Sequence, residues 1–305
     1  MTAAAVNGIT IEYEEHGPGD GEPVLLVMGL GAQLVLWPPA FIDALVASGH
    51  RVITFDNRDV GRSSRIDAPA PSVADLARAL VARRSRSAPY SLADMADDAA
   101  ALLDHLGIAR THVVGASMGG MIAQELAIRH PAKVATLTSI MSNTGERKYR
   151  HPSPALLPAL LRVRSAEPGD TETGIEVARL ISGPEFDEAA AREIEAVEVS
   201  RGGDPAEAMA GVARQTLAVL NSRDRTDDLR RLRVPTLVVH GLLDRLVRPV
   251  AGMATARAVP GARLVMYPDM AHDMPASRIP ELTDEVLVHL ARSPITAREA
   301  ALASG

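Results

Sequence analysis

A serine, an aspartate and a histidine stand far apart in this 305-residue chain, each just past a run of β-branched and aliphatic residues. Ser117 lies in Gly115-Ala116-Ser117-Met118-Gly119, directly after Val113-Val114. Asp244 comes four residues after Pro235-Thr236-Leu237-Val238-Val239-His240, and His272 five residues after Ala262-Arg263-Leu264-Val265-Met266-Tyr267. These residue types suit nucleophilic acyl transfer. A serine hydroxyl is a weak nucleophile until a base takes its proton, and an imidazole base works best when an acid holds it in one tautomer.

The surroundings of Ser117 sharpen that reading. A buried strand, a G-x-S-x-G turn and an apolar helix in immediate succession are the context of a nucleophile elbow. The turn imposes strained backbone angles at the serine, and glycines let the neighbouring chains pass. The hydroxyl is thereby aimed at the helix N-terminus, where unpaired N–H groups favour developing negative charge. A glycine-rich turn with an ordinary capping serine would carry the same letters.

The partners have rivals. Asp244 could cap the helix that follows it. Asp269 and Asp273 share the loop of His272, from which a carboxylate reaches behind the ring poorly. Asn143 occupies another strand end, but an amide does not stabilise an imidazolium in the same way. His240 still belongs to its strand and reads as a buried, hydrogen-bonded histidine. An oxyanion hole needs two donors, expected from the backbone N–H groups of Met118 and of Leu30 in Met28-Gly29-Leu30-Gly31.

These loops need strands to present them. Asn7-Gly8 predicts a β-hairpin. Pro23–Met28, Arg51–Asp56, Thr111–Val114, Val134–Ile140, Pro235–His240 and Ala262–Tyr267 are short and apolar, as strands covered on both faces are. Between them run helical stretches, including 40–47, a segment from the Ser91-x-x-Asp94 cap to Leu106, and 250–258 and 279–290. Residues 64–89 resist assignment. The alternation predicts a mainly parallel sheet with helices on both faces.

Residues 142–225 break the alternation. They hold helical stretches at Ala155–Val163, Gly174–Ile181, Glu188–Val199 and Glu207–Leu220 and no convincing strand, and they are too long for one crossover. The division expected is a core of residues 1–141 and 226–305 with a helical cap, 142–225, inserted between two strands. Trp37, Leu156, Leu157 and Leu160 are candidates for an apolar pocket lining. They could equally seat the cap on the core.

Composition narrows the classes. Hydrophobic residues make up 47% of the chain, enough for a large core, and the net charge of −6 offers nothing to nucleic acid or an anionic membrane. There are no cysteines, which excludes disulfides, cysteine-held metals and a thiol nucleophile. There is no H-E-x-x-H, no cluster of histidines and no phosphate-binding glycine loop, so no metal or cofactor is expected. The N-terminal residues resemble no signal peptide, and no apolar run reaches the ~18 residues of a membrane span. A cytoplasmic monomer or homodimer is expected, acting on a small molecule.

Taken together, the residues resemble the α/β-hydrolase fold serine hydrolases, and within them the aclacinomycin methylesterase group of polyketide-tailoring esterases. The resemblance rests on Leu26-Val27-Met28-Gly29 with Trp37-Pro38, on Asp56-Asn57-Arg58-Asp59-Val60-Gly61-Arg62-Ser63, on His112–Gly119, on Arg233–Val238 and on Met270-Ala271-His272. Many of these hydrolases have His-Gly in place of Met28-Gly29 and Gly in place of Asp59. The methylesterase group shares both departures. The resemblance implies an eight-stranded, mostly parallel sheet with a cap. It assigns Ser117, Asp244 and His272 as triad, with the Leu30 and Met118 amides as oxyanion donors. The activity it implies is cleavage of a carboxylic ester through an acyl-enzyme. A lactonase, a C–C bond hydrolase or a cofactor-free perhydrolase would use the same residues, and a non-catalytic binding protein of this fold would usually lack part of them. The loop bearing Arg58, Asp59 and Arg62 is expected to brace its neighbours by ion pairs.

Overall fold

The computed structural model describes residues 2–82, 88–149, 151–156, 167, 169–296 and 299. Among them, eight strands form one sheet: β1 (Thr2–Val6), β2 (Ile9–His16), β3 (Glu22–Val27), β4 (His50–Phe55), β5 (Thr111–Ala116), β6 (Val134–Ile140), β7 (Thr236–Gly241) and β8 (Arg263–Tyr267). Their order is β1-β2-β4-β3-β5-β6-β7-β8. The pairings of β2 with β1 and β4 are antiparallel and the rest are parallel. Asn7 and Gly8 join β1 to β2 with positive φ at both positions, 50° and 77°, the twist a two-residue hairpin favours.

The helices are α1 (Pro39–Ala47), α2 (Val73–Ala82), α3 (Leu92–His105), α4 (Met118–Arg129), α5 (Thr171–Ile181), α6 (Glu188–Gly202), α7 (Pro205–Leu220), the single turn α8 (Thr226–Leu229), α9 (Pro249–Ala258) and α10 (Ile279–Leu290). Alternate residues of β3, β4 and β5 feed two apolar cores. Leu25, Val27, Ile53 and Val113 pack with Ala99 and Leu103 of α3 and with Ile122 and Leu126 of α4. Val24, Leu26, Val52 and Val114 pack on the opposite face with Phe41 and Leu45 of α1 and with Leu282 and Val286 of α10. Covering both faces explains why the central strands are continuously apolar.

Ser91 caps α3 as its sequence signature predicts, with Ser91 and Asp94 exchanging side chain-to-backbone bonds. α2 lies in the stretch that resisted assignment. Between β6 and β7 lie α5 to α8. Asp170, Asp187 and Asp204 cap α5, α6 and α7 by accepting backbone N–H bonds. These caps start α5 and α7 two or three residues earlier than hydrophobic spacing alone predicts. Of the stretch expected to be helical at Ala155–Val163, only the end of a 3₁₀ turn, Pro154–Leu156, falls within the described residues. The two chain crossings of the insert lie side by side, with the Arg225 amide donating to Thr144 O at 2.8 Å.

Candidate active site

β5 ends at Ala116 and α4 begins at Met118, leaving Ser117 alone in the turn with φ 55° and ψ −118°. A positive φ at a residue with a Cβ is a strained conformation that the surroundings must enforce. They do so with a bond from the Ser117 amide to Ile140 O at 2.9 Å. The flanking glycines are needed for space. A Cβ at Gly119 would run into the Val27 carbonyl, and one at Gly115 into the backbone of Gly119. Ser117 is half-buried, so its hydroxyl is not sealed inside.

The loops after β7 and β8 bring the other two residues to it. His272 Nε2 lies 2.9 Å from Ser117 Oγ, and His272 Nδ1 lies 2.7 Å from Asp244 Oδ2. A carboxylate only accepts, so Nδ1 carries the hydrogen and the Nε2 lone pair faces the serine hydroxyl. The other oxygen, Asp244 Oδ1, accepts from the amides of Leu246 at 2.9 Å and Val247 at 2.8 Å. Burial by itself would raise the Asp244 carboxyl, but the charge of His272 and hydrogen bonds from His240 and His272 outweigh it and hold it at about 2. Asp244 is therefore ionised at neutral pH.

The rivals are engaged elsewhere. Asp269 pairs with Arg278, and Asp273 accepts from the amides of Gly183 and Ala271. Asn143 accepts from the Gly145 amide. His240 is fully buried, as its place in a strand predicts. Its contact with Asp244, at 3.3 Å, was not legible in the sequence.

Met118 opens α4, where the first N–H groups have no intrahelical acceptor. Gly29 puts the loop bearing Leu30 against the serine, with the place of a Gly29 Cβ 3.3 Å from Ser117 Cβ. Leu30 itself is 38% exposed. The next residue is tied to the insert, since Gly31 N donates to Gln215 of α7 at 2.8 Å. Trp37, a candidate pocket residue, is instead 1% exposed and stacked on Phe41 in the core beneath α1. A large aromatic ring next to a helix start finds more apolar area there than in a cleft. Leu156 is buried at the start of the insert, close to the acid loop through the Ser153 amide bond to Arg245 O at 2.7 Å. Leu157 and Leu160 lie outside the described residues.

The loop after β4 does brace its neighbours, through partners that sequence reasoning missed. Asp56 meets Arg201 of α6 at 2.8 Å, and Asp59 meets Arg214 of α7 at 2.7 Å, all four side chains being buried. Tyr90 donates to Asp59 at 2.7 Å, and Arg58 forms two 2.6 Å bonds with Asp98 of α3. The insert also reaches the histidine loop, where the His272 amide donates to Ile181 O at 2.9 Å. The usable signal was an arginine on the face of α7 that also holds Gly211, Gln215 and Ala218. Among the described residues, no group of His, Cys, Asp and Glu side chains could hold a metal ion, and no helix is long and apolar enough to cross a membrane.

The chain is similar to known proteins over much of its length. Rhodomycin D methylesterase of Streptomyces peucetius is 28% identical over 303 residues, covering 92% of this chain and 95% of that one. RutD of Variovorax paradoxus, a carbamate hydrolase by name, is 40% identical over 130 residues, so this chain matches 41% of that relative's length with 43% of its own. The enol-lactonase of Burkholderia xenovorans LB400 superimposes with a TM-score of 0.73 at 25% identity, over 95% of this chain and 100% of that one. The sequence pattern of the alpha/beta hydrolase fold matches residues 22–276, and with the sheet order and the elbow it makes this chain a member of the alpha/beta hydrolase fold family.

Proposed function

We propose that the protein is a serine hydrolase of carboxylic esters, with Ser117 as nucleophile, His272 as base and Asp244 as the acid that orients it. The observation that carries this reading is the unbroken hydrogen-bonded chain from Ser117 Oγ through both nitrogens of His272 to Asp244. In the first half-reaction Ser117 Oγ attacks the ester carbonyl while His272 Nε2 takes the hydroxyl proton. The negative charge moves to the carbonyl oxygen, facing the amides of Met118 and Leu30. Collapse breaks the bond to the alcohol, which leaves with the proton from His272. Water then repeats the sequence on the acyl-enzyme, with His272 taking one proton from it, and releases the acid and Ser117. Asp244 stays ionised throughout and stabilises the imidazolium between the two transfers.

The substrate class we favour is a methyl ester of a bulky, apolar or polyketide-like acid. Its support is the similarity to rhodomycin D methylesterase along 92% of this chain. A lactone is the second reading, supported by the superposition on the enol-lactonase.

The deciding experiment is hydrolysis of p-nitrophenyl acetate and butyrate by the wild type and Ser117→Ala, with mass spectrometry after a fluorophosphonate probe. Hydrolysis and labelling that both vanish in Ser117→Ala support the reading. A wild type that turns over no ester or lactone and takes no label overturns it. Methyl esters of increasing acyl bulk, set against lactones of similar size, then separate the two substrate readings.

A further inference from the structure

The acid of the hydrogen-bonded chain has a second histidine on it. Asp244 Oδ2, the oxygen that holds His272, also lies 3.3 Å from His240 Nε2. His240 stands at the end of β7, fully buried, and the same Nε2 is 2.7 Å from Val247 O. A carbonyl oxygen can only accept, so Nε2 must carry a hydrogen. That hydrogen goes to the Val247 carbonyl, and the Asp244 carboxylate lies beside it, 3.3 Å from the same nitrogen.

The other side of the ring is closed. Nδ1 is buried with no hydrogen-bond partner. It sits against α9 where Gly252 leaves room, and a Cβ at 252 would run into it. A hydrogen on Nδ1 would meet no acceptor among the described residues. The titratable groups that the imidazole faces are Asp244 and, across that carboxylate, His272. The flanking strands bring apolar residues to this level, Ile140 of β6 beside Val239 and Met266 of β8 opposite His240.

Resting on the hydrolase reading above, we infer that His240 is a positioning residue for that chemistry: with its hydrogen on Nε2, it ties the Asp244 carboxylate to the end of its own loop and so aims Asp244 Oδ2 at His272. Asp244 is then held from three sides, by the Leu246 and Val247 amides on Oδ1 and by His240 on Oδ2. The imidazole also supplies a donor to the ionised carboxylate that Leu, Met or Phe at 240 would lack. The lowering of the Asp244 carboxyl includes the His240 hydrogen bond among its causes.

The test compares His240→Met, which fills the space without a donor, with His240→Gln, whose side-chain amide can reach the same oxygen. With p-nitrophenyl acetate, His240→Met should lower kcat by about 10- to 100-fold, the worth of one hydrogen bond to a charged group, with little change in KM. The acidic limb of its kcat/KM profile, which reports the imidazole base, should move to higher pH, because a carboxylate that has lost one donor stabilises the imidazolium more strongly. His240→Gln should restore kcat to within about threefold of wild type, the cost of an imperfect donor. Wild-type kcat and pH profile in His240→Met, or an equal fall in both variants, would overturn the inference and leave His240 a packing residue. Nitrogen-15 NMR of the wild-type imidazoles decides the matter without turnover. A hydrogen on His240 Nε2 is expected, and an Nε2 without one at neutral pH sinks the inference. If the wild type cleaves no ester, the hydrolase reading fails while the NMR result still judges the state of His240.

Discussion

The sheet and the insert are held by different forces. In the core, β5, β6 and β7 are buried at every position, and two apolar layers cover them. Each layer gains free energy roughly in proportion to apolar area, about 25 cal/mol per Å², and no single contact dominates. In the insert, α5 buries Ile175 alone among its residues, and α6 buries only Arg201. α7 buries Arg214 and Gln215 beside Leu217 and Ala218. The described helices of the insert thus have little apolar area to offer and are located by a few polar anchors. Such anchors are directional, so they set where α6 and α7 sit over the loops around Ser117. A buried ion pair adds little net stability over well-packed apolar residues, yet losing one partner is costly. The contrast is between a core that tolerates small losses and an insert that depends on particular bonds.

The largest expected effect is on chemistry alone. Asp244→Asn should reduce kcat by roughly 10³- to 10⁴-fold through the wrong His272 tautomer, with thermal unfolding scarcely changed. A drop in Tm as steep as the drop in kcat would show that the acid loop belongs to the stability of the core as well.

Next comes the anchor between the regions. Arg214→Met should destabilise by about 3–5 kcal/mol, because it strands the buried Asp59 carboxylate beside Tyr90. Asp59→Asn together with Arg214→Met should recover part of that loss. Urea unfolding of the two variants checks this, and equal losses in both would mean that packing, not charge, holds α7.

A smaller effect depends on pH. Burial, with Glu195 and Asp56 nearby, pushes the Glu198 carboxyl of α6 up to about 7, even though it accepts a bond from the Gln33 amide. The folded state therefore binds this proton more tightly than the unfolded chain, where a glutamate titrates near ~4.3. Its stabilising contribution is complete below ~4.3 and is lost as pH rises through about 7. Glu198→Gln keeps an acceptor for Gln33 and should raise Tm at pH 8 by ~2 °C while leaving it nearly unchanged at pH 4. Equal shifts at both pH values would rule out titration as the cause.

Least of all should come from the outer face of the insert. Arg192 pairs with Glu172 and Glu188 in full solvent, so Arg192→Ala should move Tm by no more than about 1 °C. A larger fall would mean that the surface pairs, and not the buried anchors, locate α5 and α6.

The same division governs what could be read in advance. The strand at Val134–Ile140 and the helix at Ile279–Leu290 were legible to the residue, because period, capping and apolar runs act over a few positions. α2 was not, although Ser72 and Asp75 at its start form the same reciprocal cap as Ser91 and Asp94, because its Ala- and Arg-rich stretch shows no clear period and packs on α7. Trp37 was misplaced because an aromatic beside a proline reads alike whether it faces a cleft or a core.

The chain's local chemistry alone determined the elbow. Glycines at 115 and 119 around a serine, between a β-branched run and an apolar helix, admit few other conformations, and the strand-end loops name an acid and a base by order. Only the tertiary structure decided who meets whom. Asp56 finds Arg201 across 145 residues and Asp59 finds Arg214 across 155, and the His240 ring comes to lie 3.3 Å from the same oxygen that holds His272. Short-range sterics are written in neighbouring letters. The choice of a distant partner depends on how whole layers pack, which no local window of sequence contains.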